Sequence, residues 1–327
     1  MKAEDIRTIS VIGAGFMGCG IAQVFASKNY NVHLYNRPHP EDVKGEFLSK
    51  RVENIRSTLS TMARKGVGLE SEIEATISRI KTTTSMDEAT SDAQLVIENV
   101  SENLELKQKV FQDLDRFCPP ETILATNTSV MSPTEIAAKA RHRERILGAH
   151  FWNPPYLIPL VEVVRGRETS EEAMEITYQV MKNAGKHPIK VMKDVPGFVA
   201  NRLQHALWRE AISIVENGIA DPATVDEAVK NGFAVRLPVL GPLENADMVG
   251  LDMVLAIHDY ILKYLESSPS PSPLLREKVE KGELGFKTGQ GFQTWSAEEA
   301  DRSRRNLLEY LLDLAQRERG MKGEHHL

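Results

Sequence analysis

Two side chains in the middle of the sequence have the types and surroundings needed to move a proton. His150 ends a predicted strand, Arg145–His150, and Glu162 lies inside the apolar run Leu160–Val164. A carboxylate within an apolar strand is costly to bury unless it is paired. A histidine whose other ring nitrogen is held by a carboxylate is oriented and made more basic. Taken alone, His150 fits a hydrogen-bonded core histidine and Glu162 fits a solvent-facing sheet edge, but the pair favours proton transfer.

Ser129 is a third candidate, because its hydroxyl follows the end of a predicted strand. The strand Thr122–Thr126 leads into the turn Asn127–Ser129, and ligands of open α/β sheets bind at the carboxyl ends of the strands. Ser132, by contrast, precedes Pro133 and matches the N-cap signature of a helix, so its role is structural.

A glycine motif near the start of the chain has the spacing of a dinucleotide-binding loop. Gly13, Gly15 and Gly18 follow the apolar strand Ile9–Ile12 and open an apolar helical pattern. The first glycine permits a tight turn, the second lets the backbone approach a pyrophosphate, and the third lets the helix pack on the strand. The alternative is a glycine-rich turn without a ligand. The strand before the motif and the helix and second strand after it favour dinucleotide binding.

The end of the second strand bears on the choice between NAD and NADP. An NAD site commonly has Asp or Glu there to bind the ribose 2′-hydroxyl, whereas this chain has Asn36, then Arg37 and, two residues later, His39. Without the carboxylate a 2′-phosphate is not repelled, and Arg37 could bind it through its fork of donors. Alternatively Arg37 is a surface residue and Asn36 still binds the ribose. The residues favour NADP slightly.

Apolar spacing predicts a helical hairpin inserted in the nucleotide-binding domain at about residues 41–80. Residues 41–65 read as one long helix, and the pattern Leu69–Ile80 reads as a second, shorter one. Arg64 and Lys65 lie at the tip of this hairpin. They fit either a contact with an anionic substrate tail or, on general grounds, solvated surface charge.

The remaining pattern predicts two domains of different character. Ala93–Val100 fits a buried parallel strand with Glu98 near its ligand-binding end. The segment Asp194–Gly197 marks the boundary, and long helical patterns follow it. The fold class is therefore α/β: a Rossmann-type doubly wound domain over residues 1–195, then an all-helical domain over 196–327 that binds substrate and forms a dimer.

Composition narrows the class of protein further. The chain has 327 residues and a formal net charge of −6, which argues against nucleic acid or an anionic membrane as the main partner. Its two cysteines are too few for a disulfide framework, so we expect a reducing compartment. The charged N-terminus and the absence of a long apolar run predict neither a secretory signal nor a membrane span. We expect a cytoplasmic enzyme, and no metal site is predicted.

The motifs together resemble the L-3-hydroxyacyl-CoA dehydrogenase family over nearly the whole chain. The order and spacing of the similar stretches agree with that family as well. They are Ile12–Gly18 (IGAGFMG), Glu102–Phe111 (ENLELKQKVF), Ala125–Ser129 (ATNTS), His150–Pro154 (HFWNP), Pro159–Gly166 (PLVEVVRG), Asp194–Leu203 (DVPGFVANRL), Gly250–Asp252 and Lys287–Phe292 (KTGQGF).

The resemblance implies an NAD(P)-dependent, reversible oxidation of a 3-hydroxyl to a 3-ketone. In it, His150 corresponds to the general base, Glu162 to the acid that orients it, and Ser129 and Asn201 to groups that hydrogen-bond the reacting oxygen. Lys65 aligns loosely with a lysine used against the CoA phosphates. The positions implied near the cofactor are Gly13, Gly15, Phe16, Met17, Gly18, Glu98, Asn103 and Lys287.

Departures from the family pattern leave the substrate open between two classes. Asn36 stands where the family usually has Asp, and Arg236 with the following GPLE segment looks more like the L-gulonate 3-dehydrogenase (lambda-crystallin) branch, which oxidises free hydroxy acids. Arg236 could pair a free carboxylate or be a salt-bridged helix-end residue. The leading interpretation is a short-chain (S)-3-hydroxyacyl-CoA substrate; the alternative is a small free 3-hydroxy acid or related alcohol. A non-catalytic nucleotide-binding protein is disfavoured, because all four candidate catalytic residues are present.

Overall fold

One eight-stranded sheet carries two of the four predicted catalytic residues, His150 and Glu162. The computed structural model describes residues 1–38 and 45–324. The strands are β1 (Thr8–Ile12), β2 (Asn31–Tyr35), β3 (Ile80–Thr83), β4 (Leu95–Glu98), β5 (Ile123–Thr126), β6 (Ile146–Phe151), β7 (Leu160–Val164) and β8 (His187–Val191). Their order in the sheet is β3-β2-β1-β4-β5-β6-β7-β8, and all neighbours run parallel except β6 and β7, which are antiparallel. This arrangement confirms the predicted Rossmann-type doubly wound domain.

Helices cover the sheet and form the rest of the chain. Seven of them precede residue 200: α1 (Phe16–Ala26), α2 (Phe47–Arg64), α3 (Ile73–Ser78), α4 (Met86–Thr90), α5 (Leu104–Phe117), α6 (Pro133–Ile136) and α7 (Glu171–Asn183). Those that follow are α8 (Ala200–Glu216), α9 (Pro222–Asn231), α10 (Pro242–Val249), α11 (Leu251–Ile261), α12 (Pro273–Glu280) and α13 (Ala297–Glu324).

Alternate residues of the strands build two cores on the two faces of the sheet. Ile97 of β4 belongs to the larger core with Phe25 of α1, whereas its neighbour Val96 belongs to the second core with Phe111 of α5. This division follows from the alternation of side chains along a strand. Because both faces are covered, the strands read as nearly continuous apolar runs, as the sequence shows.

The structure corrects the predicted helical hairpin in two places. The first helix is α2, Phe47–Arg64, and residues 41–44 of the prediction, like His39, lie outside the described residues. The second predicted helix, Leu69–Ile80, divides into a 3-10 turn and α3, and Ile80 begins the edge strand β3. Hydrogen bonding to β2 therefore prevails over the helical spacing of the isoleucines.

The described chain forms two compact units whose boundaries differ from a simple division in sequence. The first unit consists of Met1–Asn201 together with the described residues from Leu308, whereas the second consists of Arg202–Leu307. Helix α13 therefore starts in the second unit and continues in the first. The prediction placed the whole of 196–327 in the helical domain, whereas the structure places residues 196–201 and the described residues 308–324 in the first unit.

The second unit exposes much of its apolar surface. Helices α9–α12, all within the described residues, contain no buried residue. On α11 alone, Leu251, Met253, Leu255 and Tyr260 are exposed. Exposed apolar side chains in this number are typical of a protein interface. Among the described helices, none has the length and apolar character needed to span a membrane.

Candidate active site

His150 and Glu162 face each other across the single antiparallel strand pair of the sheet. They are register partners in the β6–β7 ladder, which explains how residues twelve positions apart meet. The His150 Nδ1 atom lies 2.8 Å from Glu162 Oε2, and both side chains are buried. The geometry predicted from the sequence is thus present.

Glu162 is held at both carboxylate oxygens. Its Oε1 accepts hydrogen bonds from the backbone N–H groups of Val199, at 2.9 Å, and Ala200, at 3.1 Å. Its Oε2 also accepts a longer bond from Trp152 Nε1, at 3.4 Å. Burial by itself would raise the pKa of Glu162, but the hydrogen bonds from His150, Ala200 and Val199 outweigh it and lower the pKa. The carboxylate is therefore ionised when it orients His150.

The structure also brings Ser129 and Asn201 together. Asn201 Nδ2 donates a 2.8 Å hydrogen bond to the backbone carbonyl of Ser129. The turn that carries Ser129 is tied to the end of β6, because Asn127 Oδ1 accepts a 2.7 Å bond from the N–H of Phe151, the residue after His150. The turn that carries Ser129 is thus bonded to the His150 strand, and Asn201 is bonded to that turn.

The glycine loop has the shape that a pyrophosphate needs. Gly13 has φ +105°, and a Cβ atom there would lie 2.7 Å from the carbonyl oxygen of Asn99. A Cβ atom at Gly18 would lie 1.8 Å from the carbonyl of Gly13, whereas one at Gly15 would meet no atom within 4 Å. The backbone is therefore packed tightly behind Gly15 and open in front of it, at the N-terminus of α1, which favours an anion. Phe16 and Met17 begin that helix.

Asn36 supports this loop directly. Its Oδ1 atom accepts a hydrogen bond from the N–H of Ala14, at 3.2 Å, and its Nδ2 atom donates to the carbonyl of Arg37, at 2.8 Å. Asn36 is thereby placed beside the predicted pyrophosphate site, and the side chain of Arg37 is exposed.

Glu98 ends strand β4, as predicted, but its side chain is buried beneath this edge of the sheet. Its carboxylate is fully buried, and it accepts hydrogen bonds from Lys107 Nζ at 2.8 Å, Thr126 Oγ1 at 2.7 Å and the N–H of Val100 at 2.6 Å. Burial raises the pKa of Glu98, and the ammonium of Lys107 opposes that rise. The carboxylate therefore supports the carboxyl ends of β4 and β5 from inside, and its contact with the cofactor stays a prediction.

Sequence reasoning missed the residues that connect this buried pair to Ser129. Lys107 Nζ also lies 3.3 Å from Glu102 Oε2. Glu102 Oε1 accepts bonds from the Thr128 hydroxyl and, at 3.1 Å, from the N–H of Ser129. A signal for Lys107 was present, because the helical spacing of Phe111 and its neighbours puts Lys107 on the apolar face of α5.

The remaining predicted site residues make no contact with the His150–Glu162 pair among the hydrogen bonds and ion pairs described for them. Asn103 caps α5, since its Oδ1 accepts the N–H of Leu106 at 2.9 Å. Lys65 ends the α2 segment and forms an ion pair with Glu309 of α13 at 3.6 Å. Arg236 and Lys287 lie exposed in the second unit, so their proposed contacts with substrate and cofactor remain predictions.

Comparison with known families adds an independent line of evidence. Residues 8–195 match the family model described as 3-hydroxyacyl-CoA dehydrogenase, NAD binding domain. Residues 197–295 match the model for the C-terminal domain of the same family. The two matches together span most of the chain.

Individual relatives cover similar lengths. A probable 3-hydroxybutyryl-CoA dehydrogenase of Bacillus subtilis is 41% identical over 88% of this chain and 97% of its own length. The crystal structure of the (S)-3-hydroxybutyryl-CoA dehydrogenase of Ralstonia eutropha has a TM-score of 0.73 and 36% identity, over 89% of this chain and 99% of that chain. The crystal structure of a 5-formyl-3-hydroxy-2-methylpyridine 4-carboxylic acid 5-dehydrogenase has a TM-score of 0.83 and 32% identity, over 94% of this chain and 97% of that chain.

Proposed function

The chain belongs to the 3-hydroxyacyl-CoA dehydrogenase family, oxidoreductases that act on CH–OH groups with NAD, and on that premise we propose that it interconverts a short-chain (S)-3-hydroxyacyl-CoA and its 3-ketone. The observation that carries this proposal is the buried His150–Glu162 pair, with 2.8 Å between Nδ1 and Oε2. The similarity to 3-hydroxybutyryl-CoA dehydrogenases supports a short acyl chain.

His150 acts as the general base in the proposed oxidation. Because the ionised carboxylate of Glu162 accepts a bond at Nδ1, that nitrogen carries the proton and Nε2 keeps its lone pair. The O–H bond of the substrate breaks and its proton moves to Nε2 while C3 loses a hydride. The charge that develops on the imidazole is stabilised by Glu162. Ser129 and Asn201 hydrogen-bond the reacting oxygen.

NAD fits the glycine loop in this proposal. Gly13, Gly15 and Gly18 shape the backbone around the pyrophosphate, as the open space in front of Gly15 allows, and Phe16 and Met17 contribute the first N–H groups of α1. The nicotinamide supplies the hydride acceptor when bound. Lys287 is proposed as a further contact of the cofactor.

Asn36 and Arg37 are proposed to let the same site accept NADP. Neither residue carries the negative charge that would repel a 2′-phosphate. We expect Arg37→Ala to raise the KM for NADPH several-fold and to leave the KM for NADH nearly unchanged. A parallel rise in both values would show that Arg37 does not bind the 2′-phosphate.

The experiment that tests the proposed function is a spectrophotometric assay of four combinations. NADH and NADPH are each followed with acetoacetyl-CoA and with free acetoacetate. The proposal is supported if the unaltered protein turns over the thioester and His150→Gln lowers that rate at least a hundredfold, since a general base contributes about 10²–10⁴-fold. Full activity of that variant would contradict the mechanism, and a lack of turnover with either substrate would contradict the substrate class.

A free hydroxy acid or related alcohol is the second candidate substrate, and one structural similarity favours it. The TM-score of 0.83 with a dehydrogenase of a pyridine carboxylate supports the same candidate. Arg236→Ala discriminates: a large rise in KM for a free acid supports this candidate, and an unchanged KM for the thioester supports the first.

A homodimer formed through the second unit completes the proposal. The exposed apolar side chains of α11 support it, and the helical unit would then contribute both to substrate binding and to assembly.

A further inference from the structure

Phe198 has a backbone conformation that a bulky side chain rarely adopts. Its φ angle is +51°, and it follows Gly197, whose φ is +77°. A non-glycine residue in this left-handed region is strained and persists only where its surroundings hold it. The turn that contains Phe198, residues 196–199, directly precedes α8.

Packing of the buried Phe198 ring stabilises this turn. The side chain is almost completely buried and forms a small core with Val164 of β7 and Val191 of β8. Its ring centroid lies 5.8 Å from that of His150, with the planes tilted by 57°. Phe198 therefore packs between the strand of Glu162 and the ring of the proposed base.

The same turn orients the backbone N–H groups that donate hydrogen bonds to Glu162. The two N–H groups that follow Phe198, on Val199 and Ala200, are the donors to Glu162 Oε1, at 2.9 and 3.1 Å. One residue further, Asn201 donates to Ser129. A turn that relaxed to ordinary backbone angles at Phe198 would redirect all three donors.

We propose that Phe198 is a positioning residue, whose buried ring holds a left-handed turn so that two backbone N–H groups fix the Glu162 carboxylate against His150. The titratable group that faces Glu162 is His150 on β6. The indole of Trp152 and the backbone of 199–200 complete the contacts of the carboxylate, and none of these titrates. The carboxylate orientation thus depends on a residue that donates no hydrogen bond to it.

Two substitutions separate this role from simple packing. Phe198→Ala removes the ring and keeps the cost of the left-handed backbone, whereas Phe198→Gly removes the ring and also removes that cost. If the ring serves to hold the turn, the Gly variant retains more of the His150–Glu162 interaction than the Ala variant. If the ring serves only to fill space, the Gly variant is no better, because it deletes more of the side chain.

The readout is the downfield proton resonance of the His150 Nδ1–H, assigned by its loss in His150→Gln. We expect this resonance to be retained in Phe198→Gly and to broaden or vanish in Phe198→Ala. Val191→Ala is the matched control, because it opens the same apolar core but keeps the Phe198 ring and every residue of the turn. The His150 resonance of this variant should be that of the unaltered protein. This measurement needs no substrate, so it stands whether or not the proposed function is correct.

A kinetic measurement extends the test and rests on the proposed function. We expect kcat to fall about tenfold or more in Phe198→Ala, as for a misplaced catalytic group, and to fall less in Phe198→Gly. The KM for NADH should be unchanged in both variants. Equal resonances in the Ala and Gly variants would overturn the proposal, as would a loss of the resonance in Val191→Ala.

Discussion

At the scale of single residues, the Glu162 carboxylate is fixed at both of its oxygens. It has three backbone or side-chain partners within 3.1 Å, and they lower its pKa although burial alone would raise it. An acid whose pKa is lower in the folded than in the unfolded chain stabilises the fold at pH values above the unfolded value of about 4.3. That contribution is lost as the pH falls through the folded value.

We therefore expect Glu162→Gln to destabilise the protein near neutral pH by about 1–3 kcal/mol. The difference in free energy of unfolding from the unaltered protein should shrink as the pH falls from the unfolded pKa through the lowered pKa of the native carboxyl. Urea unfolding at several pH values measures it. A difference that is constant across this range would mean that the ionised form contributes no stability.

The buried Glu98–Lys107 pair leads to a second prediction. Lys107→Met leaves a buried carboxylate without its counter-charge, so we expect a loss of about 3–5 kcal/mol in unfolding free energy. The double variant with Glu98→Gln removes both charges and should recover much of that loss. Urea unfolding compares them, and additive effects of the two substitutions would show that the pair is not coupled.

At the scale of elements, the middle of α13, around Leu312, packs against the end of α2. Leu312 is buried with Met62, Val67 and Leu157. The nearby Lys65–Glu309 pair is half-exposed on both sides, and such pairs contribute little, at most about 1 kcal/mol. Apolar burial at Leu312 therefore dominates this contact.

Leu312→Ala should lower the unfolding free energy of the first unit by about 2–5 kcal/mol. Leu307→Ala, on an exposed position of the same helix, is the control and should change it by less than about 0.5 kcal/mol. Thermal unfolding measures both. Equal effects would mean that helix propensity, and not docking, governs this segment.

The same elements show how far the sequence predicts the structure. The glycine loop and the His150–Glu162 pair follow from local pattern, because strand alternation and turn chemistry act over a few residues. The edge strand β3 escaped prediction, since Ile80 is its one buried residue and the preceding isoleucines keep helical spacing. The return of Leu312 to Met62 depends on packing between distant segments, which no local pattern encodes.

The positions of charged residues show the same limit at the site. Glu98 was placed at the cofactor edge because it ends a strand, but which side of the sheet a terminal side chain takes depends on its partner. That partner, Lys107, lies on the next helix. The donors to Glu162 from 199–200 were equally hidden, because backbone N–H groups leave no trace in residue types.

At the scale of the whole molecule, the exposed apolar surface of α11 predicts a homodimer. Leu255→Glu places a charge in that surface, so we expect the molecular mass from sedimentation to fall from that of two chains to that of one. Leu69→Glu, on an exposed leucine of the first unit, is the control and should leave the mass unchanged. A single-chain mass for the unaltered protein would contradict the assignment of this surface.

The return of the chain to its first unit has a consequence for synthesis. The segment that buries Leu312 follows Arg202–Leu307 in the sequence, so about 106 residues are translated between the two parts of one folded unit. At roughly 5–20 residues per second, a ribosome needs on the order of 5–20 s to deliver it. During that interval Leu312 does not yet cover Met62, Val67 and Leu157. This part of the nascent chain is therefore a candidate site for chaperone binding.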